Sequence, residues 1–167
     1  MTFVTSRIDG KEYLVRNTNN KVEVANILSE INSRILKLIN ILENDKNNEY
    51  KKFVNELKTR YKNTIIMENS IVIPDKRYTS FSINKGEKIV FCIQDPYTNM
   101  IYDINTLMYV TIHEISHIAC PEIGHTPLFY KIFNYFIEIA HKYSLYRKIN
   151  YRKNPVHYCG ILINDEY

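Results

Sequence analysis

Apolar residues recur at helical spacing between Lys21 and Leu42, at Val24, Ile27, Leu28, Ile31, Ile35, Leu38, Ile39 and Leu42. A stripe at that period predicts a long amphipathic helix with one buried face. Asn44 to Asn48 break the pattern, and a second helix is expected over about Glu49 to Tyr61. Ahead of both, Tyr13 to Val15 reads as a short strand. Four β-rich runs follow, Thr64 to Met67, Ile71 to Ile73, Thr79 to Ile83 and Lys88 to Ile93. The last two are joined by Asn84-Lys85-Gly86-Glu87, a hairpin-type turn in which glycine supplies a positive φ. Thr79 to Ile83 alternates polar and apolar residues, as an edge strand does.

Beyond the loop Asp95 to Asp103 the pattern changes again. Leu107, Met108, Val110, Ile112, Ile115, Ile118 and Ala119 describe a buried helix, with Asn105 as its expected N-cap. Pro121 and Gly124 end that helix and turn the chain. A last helix should start at Thr126-Pro127, a capping residue followed by proline at the first helical position. Its apolar stripe is Phe129, Ile132, Phe133, Phe136, Ile137 and Ala140. This order predicts an α+β fold, with N-terminal helices backing a small, mostly antiparallel sheet, then the buried helix and a C-terminal helix. At 167 residues one domain is expected over 1–167, helical over 1–62 and carrying the sheet and the later helices over 63–167.

The chemistry lies in the buried helix, which reads H-E-I-S-H from His113 to His117. Histidines four apart share one helix face, roughly 5–6 Å apart at Cβ, so both imidazoles can bind one tetrahedral ion at about 2.0–2.1 Å. Glu114, one step around the helix, can then reach a metal-bound water without being a ligand. The turn after the helix brings round His125, the first choice for a third ligand. Glu122, Glu138 and the Cys120 thiol are its competitors. Three protein ligands leave the fourth position open for water, as catalysis requires. These residues therefore predict one Zn²⁺ per chain, held by His113, His117 and His125, with Glu114 as general base for peptide-bond hydrolysis. A metzincin would place glycine three and histidine six residues after the second histidine; here Cys120 and Ile123 stand there.

The motif resembles that of the SprT-like and WLM-type metallopeptidases, zincin-like HExxH zinc peptidases acting on proteins crosslinked to DNA. Those families follow the H-E-x-x-H helix with a short connection, then a histidine preceded by glycine and followed by an aromatic residue four positions on. Here that reads His113, Glu114, His117, Gly124, His125 and Phe129. The resemblance covers roughly Thr79 to Tyr146, with a connection longer than is usual for WLM and shorter than is usual for SprT. The stretch reaching Asn-Pro-Val-His-Tyr-Cys-Gly also resembles uncharacterised zinc peptidases of large DNA viruses. The resemblance implies a hydrolase, a metalloprotease of compact zincin fold acting on protein or peptide, with DNA-associated or DNA-crosslinked proteins among its substrates. The alternative reading is a zinc-stabilised, non-catalytic binding module, itself DNA-associated through basic residues.

Other features change the picture less. The net charge is +4, with Lys51, Lys52, Lys58, Arg60 and Lys62 in one patch and Arg147, Lys148, Arg152 and Lys153 in another. Such patches can track a phosphate backbone, but solvated helix faces look the same. Tyr102, His157, Tyr158 and Arg152 are candidates for an oxyanion donor. His157 and Cys159 have a spacing that a second metal could use, and His141 reads as a surface residue. No apolar run approaches the ~20 residues that span a bilayer, and the N-terminus lacks the apolar stretch of a classical signal peptide. Three cysteines, Cys92, Cys120 and Cys159, fit reduced thiols in a cytoplasmic or nuclear compartment.

Overall fold

The computed structural model describes residues 1–70 and 79–164. An antiparallel hairpin opens the chain, β1 (Thr2–Thr5) with β2 (Glu12–Val15). Helix α1 (Lys21–Glu43) follows and buries Val24, Leu28, Ile31, Ile35, Leu38, Ile39 and Leu42, the face its periodicity predicts. Helix α2 (Lys51–Tyr61) buries Phe53, Val54, Leu57 and Tyr61. The N-terminal part is therefore not purely helical: β1 gives little signal in the sequence because Phe3 is 67% exposed and Val4 alone of its apolar residues packs, half-buried, on the core.

The main sheet has three strands in the order β3 (Ile65–Glu68), β5 (Lys88–Phe91), β4 (Phe81–Ile83). β4 and β5 form the expected antiparallel hairpin, whereas β3 runs parallel to β5. A third small sheet is the antiparallel hairpin of β6 (Val156–Tyr158) and β7 (Ile161–Ile163). Every strand pair but β3–β5 is antiparallel among the described residues. The fold is α+β, as expected. The strand expected at Ile71 to Ile73 lies outside the described residues.

Helix α3 (Ile104–Ala119) is the centre of the molecule. It packs against α1, α2, α4 (Pro127–Lys142) and β4. Nearly its whole circumference is buried, including Thr111, His113, Glu114 and Ser116. Buried hydroxyls need partners; Thr111 and Ser116 donate back to the carbonyls of Leu107 and Ile112, each at 2.7 Å. Its N-cap is Asp103 rather than Asn105: the Asp103 carboxylate accepts from the backbone N–H groups of Asn105 and Thr106. Asn105 is used elsewhere. Its amide donates to the Arg147 carbonyl at 2.8 Å and accepts from the Arg147 N–H at 2.7 Å, fastening the C-terminal segment to the start of α3.

Helix α4 begins as its sequence predicts, with the Thr126 hydroxyl accepting from Phe129 N–H and Pro127 in the first turn. Its buried face is Phe129, Ile132, Phe133, Phe136, Ile137 and Ala140. The cysteines correct an expectation. Cys92 and Cys159 are joined in a disulfide across 67 residues of chain, and Cys120 alone is free and buried. The bond ties the end of β5 to the turn of the β6–β7 hairpin. An odd cysteine count concealed one pair and one leftover, so Cys120 alone remains the reduced thiol that the sequence suggests for all three. No helix among the described residues is long and apolar enough to cross a membrane.

Candidate metal centre

His113 and His117 stand one turn apart on α3, and the loop from Cys120 to Thr126 carries His125 back over them. His117 Nε2 lies 3.3 Å from His113 Nε2, and His125 Nε2 lies 3.1 Å from it. Two nitrogens each about 2.0–2.1 Å from a tetrahedral centre are about 3.3 Å apart, so the spacing fits one first-row dication such as zinc. The three histidines form a cluster able to hold a metal ion, graded from buried His113 through half-buried His117 to exposed His125. Phe129 lies under it, its ring stacked on His117 at 4.2 Å between centroids. That contact fixes the imidazole plane and makes one wall of the site apolar.

The electrostatics suit ligation. Burial, then the proximity of the other two histidines, holds His113 well below its usual value. Burial, His125 and the Lys85 charge bring His117 down to about 4, and burial lowers His125. All three are thus neutral at neutral pH, the form that coordinates. Glu114 moves the other way: complete burial pushes its carboxyl up to about 8, opposed by a hydrogen bond from the Ser82 backbone N–H.

These shifts make the stability of the metal-free protein depend on pH in opposite senses. Glu114 has a folded value above its unfolded one, so its contribution is full below about 4.5 and is lost as pH rises through about 8. The histidines have depressed folded values, so theirs is present above about 6.5 and lost as pH falls, toward about 4 for His117. In chelator, wild type should lose on the order of 1–2 kcal/mol relative to Glu114→Gln between pH 6.5 and 8. Urea melts of both proteins at the two pH values measure this. A constant gap would show that the carboxyl is not held protonated.

The histidines and Glu114 open on a cleft of about 560 Å³. One wall is formed by Ser80 with Phe81 and Ser82 of β4, and the rim by Asn84, Lys85 and the loop at Ile123 and Gly124. Among the described residues β4 is at the edge of its sheet, on the side of the metal cluster, as the alternation in Thr79 to Ile83 predicts. Of the other predicted groups, none enters the cleft. Tyr158 is fully buried and donates to the Cys92 carbonyl at 2.7 Å, with the Ser80 hydroxyl at 2.6 Å. Tyr102 accepts from Cys159 N–H and donates to Asp95. His157 and Arg152 are exposed outside the cleft. His141 is also exposed, and its Nδ1 accepts from Lys148 N–H.

The competitors for the third ligand are accounted for too. Glu138 pairs with Lys148, the Cys120 side chain is buried at the helix end, and Glu122 is exposed. Lys58 and Arg60 pair with Glu43 and Glu56 in the first basic patch, and Lys148 with Glu138 in the second, so both are partly neutralised. Two features of the site had no sequence signal: the Ser82 N–H directed at Glu114, and Lys85 against the end of α3.

No family model matches the chain. It is 42% identical over 167 residues to "Uncharacterized protein R325" of Acanthamoeba polyphaga mimivirus, covering 99% of this chain and 83% of that protein. The chain belongs to that protein's family. A further relative, "Uncharacterized protein 136R" of Invertebrate iridescent virus 6, is 44% identical over 69 residues, 40% of this chain and 38% of that protein. Among solved structures, Wss1 from Saccharomyces cerevisiae superposes with a TM-score of 0.59 at 17% identity, over 79% of this chain and 90% of that one. That likeness shows a shared fold.

Proposed function

We propose that this chain is a zinc-dependent metallopeptidase, with His113, His117 and His125 as the zinc ligands and Glu114 as the general base. The observation that carries the reading is the convergence of three imidazoles at tetrahedral-edge spacing, beside a buried carboxyl and an open cleft. The Wss1-like architecture and the resemblance of the motif to the SprT-like and WLM families agree with it.

Zinc, when bound, supplies a Lewis acid that activates water and polarises the scissile carbonyl. The chain supplies the rest. Glu114 takes the proton of the attacking water and passes it to the leaving amine nitrogen, as the C–N bond breaks. Its carboxyl is held near 8 only while the site lacks cationic charge; a dication beside it favours the carboxylate. Ser82 N–H holds that carboxyl in place. Extended substrate is laid along β4, whose outer edge faces the cleft, and pairs with it by strand addition. The substrate class is protein or peptide, with DNA-associated proteins included by family resemblance alone.

The test is cleavage of an unfolded protein such as casein by the zinc-loaded chain, read as new N-termini by mass spectrometry. Cleavage should stop in 1,10-phenanthroline and return with added zinc. Stoichiometric zinc without any cleavage of unfolded substrates would favour the non-catalytic binding module.

A further inference from the structure

The turn of the β4–β5 hairpin places one ammonium group against the chain that links His117 to His125. Lys85 Nζ donates to the carbonyls of His117 at 2.9 Å, Cys120 at 2.8 Å and Glu122 at 2.8 Å. An ammonium has three donors, and here each meets a main-chain acceptor within six residues of sequence. The first carbonyl belongs to the last turn of α3 and the second to its C-cap, where the helix leaves carbonyls without intrahelical partners and its dipole favours a cation. Any basic residue could serve that end. The third bond does more, because Glu122 lies past the helix, three residues before His125.

The hairpin backbone aims the lysine at the end of α3. Asn84, Lys85 and Gly86 all have positive φ, at 49°, 53° and 105°. A Cβ on Gly86 would stand 3.1 Å from the Ile118 side chain, so the turn lies flush on the last turn of α3. A lysine in the left-handed region is disfavoured and persists where its surroundings over-determine it. Three converging carbonyls are such surroundings. The strand before the turn also supplies Ser82 N–H to Glu114. One hairpin thus touches both the base and the loop of the third histidine.

We propose that Lys85 is a positioning residue for the metal centre, clamping the segment from His117 to Glu122 so that His125 is held over His113 and His117. The inference rests on the zinc-site reading above. Lys85→Gly is the cleaner variant, since glycine accepts the positive φ and leaves the turn intact. Lys85→Met keeps the aliphatic stem and removes the donors. Both should bind zinc roughly 10–100-fold more weakly in chelator competition, mainly through faster release. Their cobalt-substituted forms should show altered visible bands, while far-UV circular dichroism stays that of wild type. A purely structural lysine would lower the melting temperature and leave zinc affinity and cobalt bands alone, which would overturn the proposal. So would tighter zinc binding, the result expected if Lys85 acted only as a like charge beside the metal. Failure of wild type itself to bind zinc would instead sink the zinc-site reading, and this one with it.

Discussion

Glu114→Gln should retain zinc and lose peptidase activity by roughly 10²–10⁴-fold, the usual contribution of a general base. The substitution keeps side-chain volume in a fully buried position and leaves all three histidines untouched. An amide can still meet Ser82 N–H through its oxygen, so the hairpin stays docked. It cannot take a proton from water. The loss should therefore fall on kcat rather than on zinc content, substrate affinity or melting temperature. Measuring zinc by atomic absorption alongside kcat and KM on one peptide separates these. A variant as active as wild type would exclude Glu114 as the base; one lacking zinc would show that the carboxyl supports the metal site instead.

His125→Ala should cost more zinc affinity than the roughly 10–100-fold that follows loss of a supporting residue around a metal site. His125 supplies one of the three clustered nitrogens among the described residues, and the alternatives are poorly placed to substitute. Glu138 is engaged with Lys148, and the Cys120 side chain is packed at the end of α3. Because His125 is exposed on a loop, its truncation removes little packing, and the metal-free protein should melt within a degree or two of wild type. Calorimetric zinc titration of both proteins measures the difference. Full zinc affinity in His125→Ala would transfer the third position to Cys120, Glu122 or Glu138, and Cys120→Ala would then be the next variant.

The helices were legible in the sequence because each buries a face at the period of its own geometry. The stripe from Val24 to Leu42 and that from Phe129 to Ala140 reappear as the buried residues of α1 and α4. The three histidines were legible because two share a helix turn and the third follows a break. What was not legible depends on distant partners. β3 pairs parallel to β5, an arrangement that short β-rich runs do not encode. Asp103 takes the cap because Asn105 is drawn to Arg147, 42 residues away. The Cys92–Cys159 bond, the Ser82 contact with Glu114 and the three bonds of Lys85 are likewise set by tertiary neighbours. No local spacing announces them.

The enclosure of α3 on nearly every side has a consequence for how the molecule comes apart. Amides in the middle of such a helix exchange with solvent only through opening of the whole fold, whereas those of an exposed connecting loop exchange through local fluctuation. Two of the clustered histidines and Glu114 belong to the first class, and His125 to the second. The site is therefore half permanent and half hinged. His125 can shift with its loop only as far as the Lys85 bonds to that segment allow, while Glu114 and its two neighbouring histidines keep their arrangement until the protein unfolds as a unit.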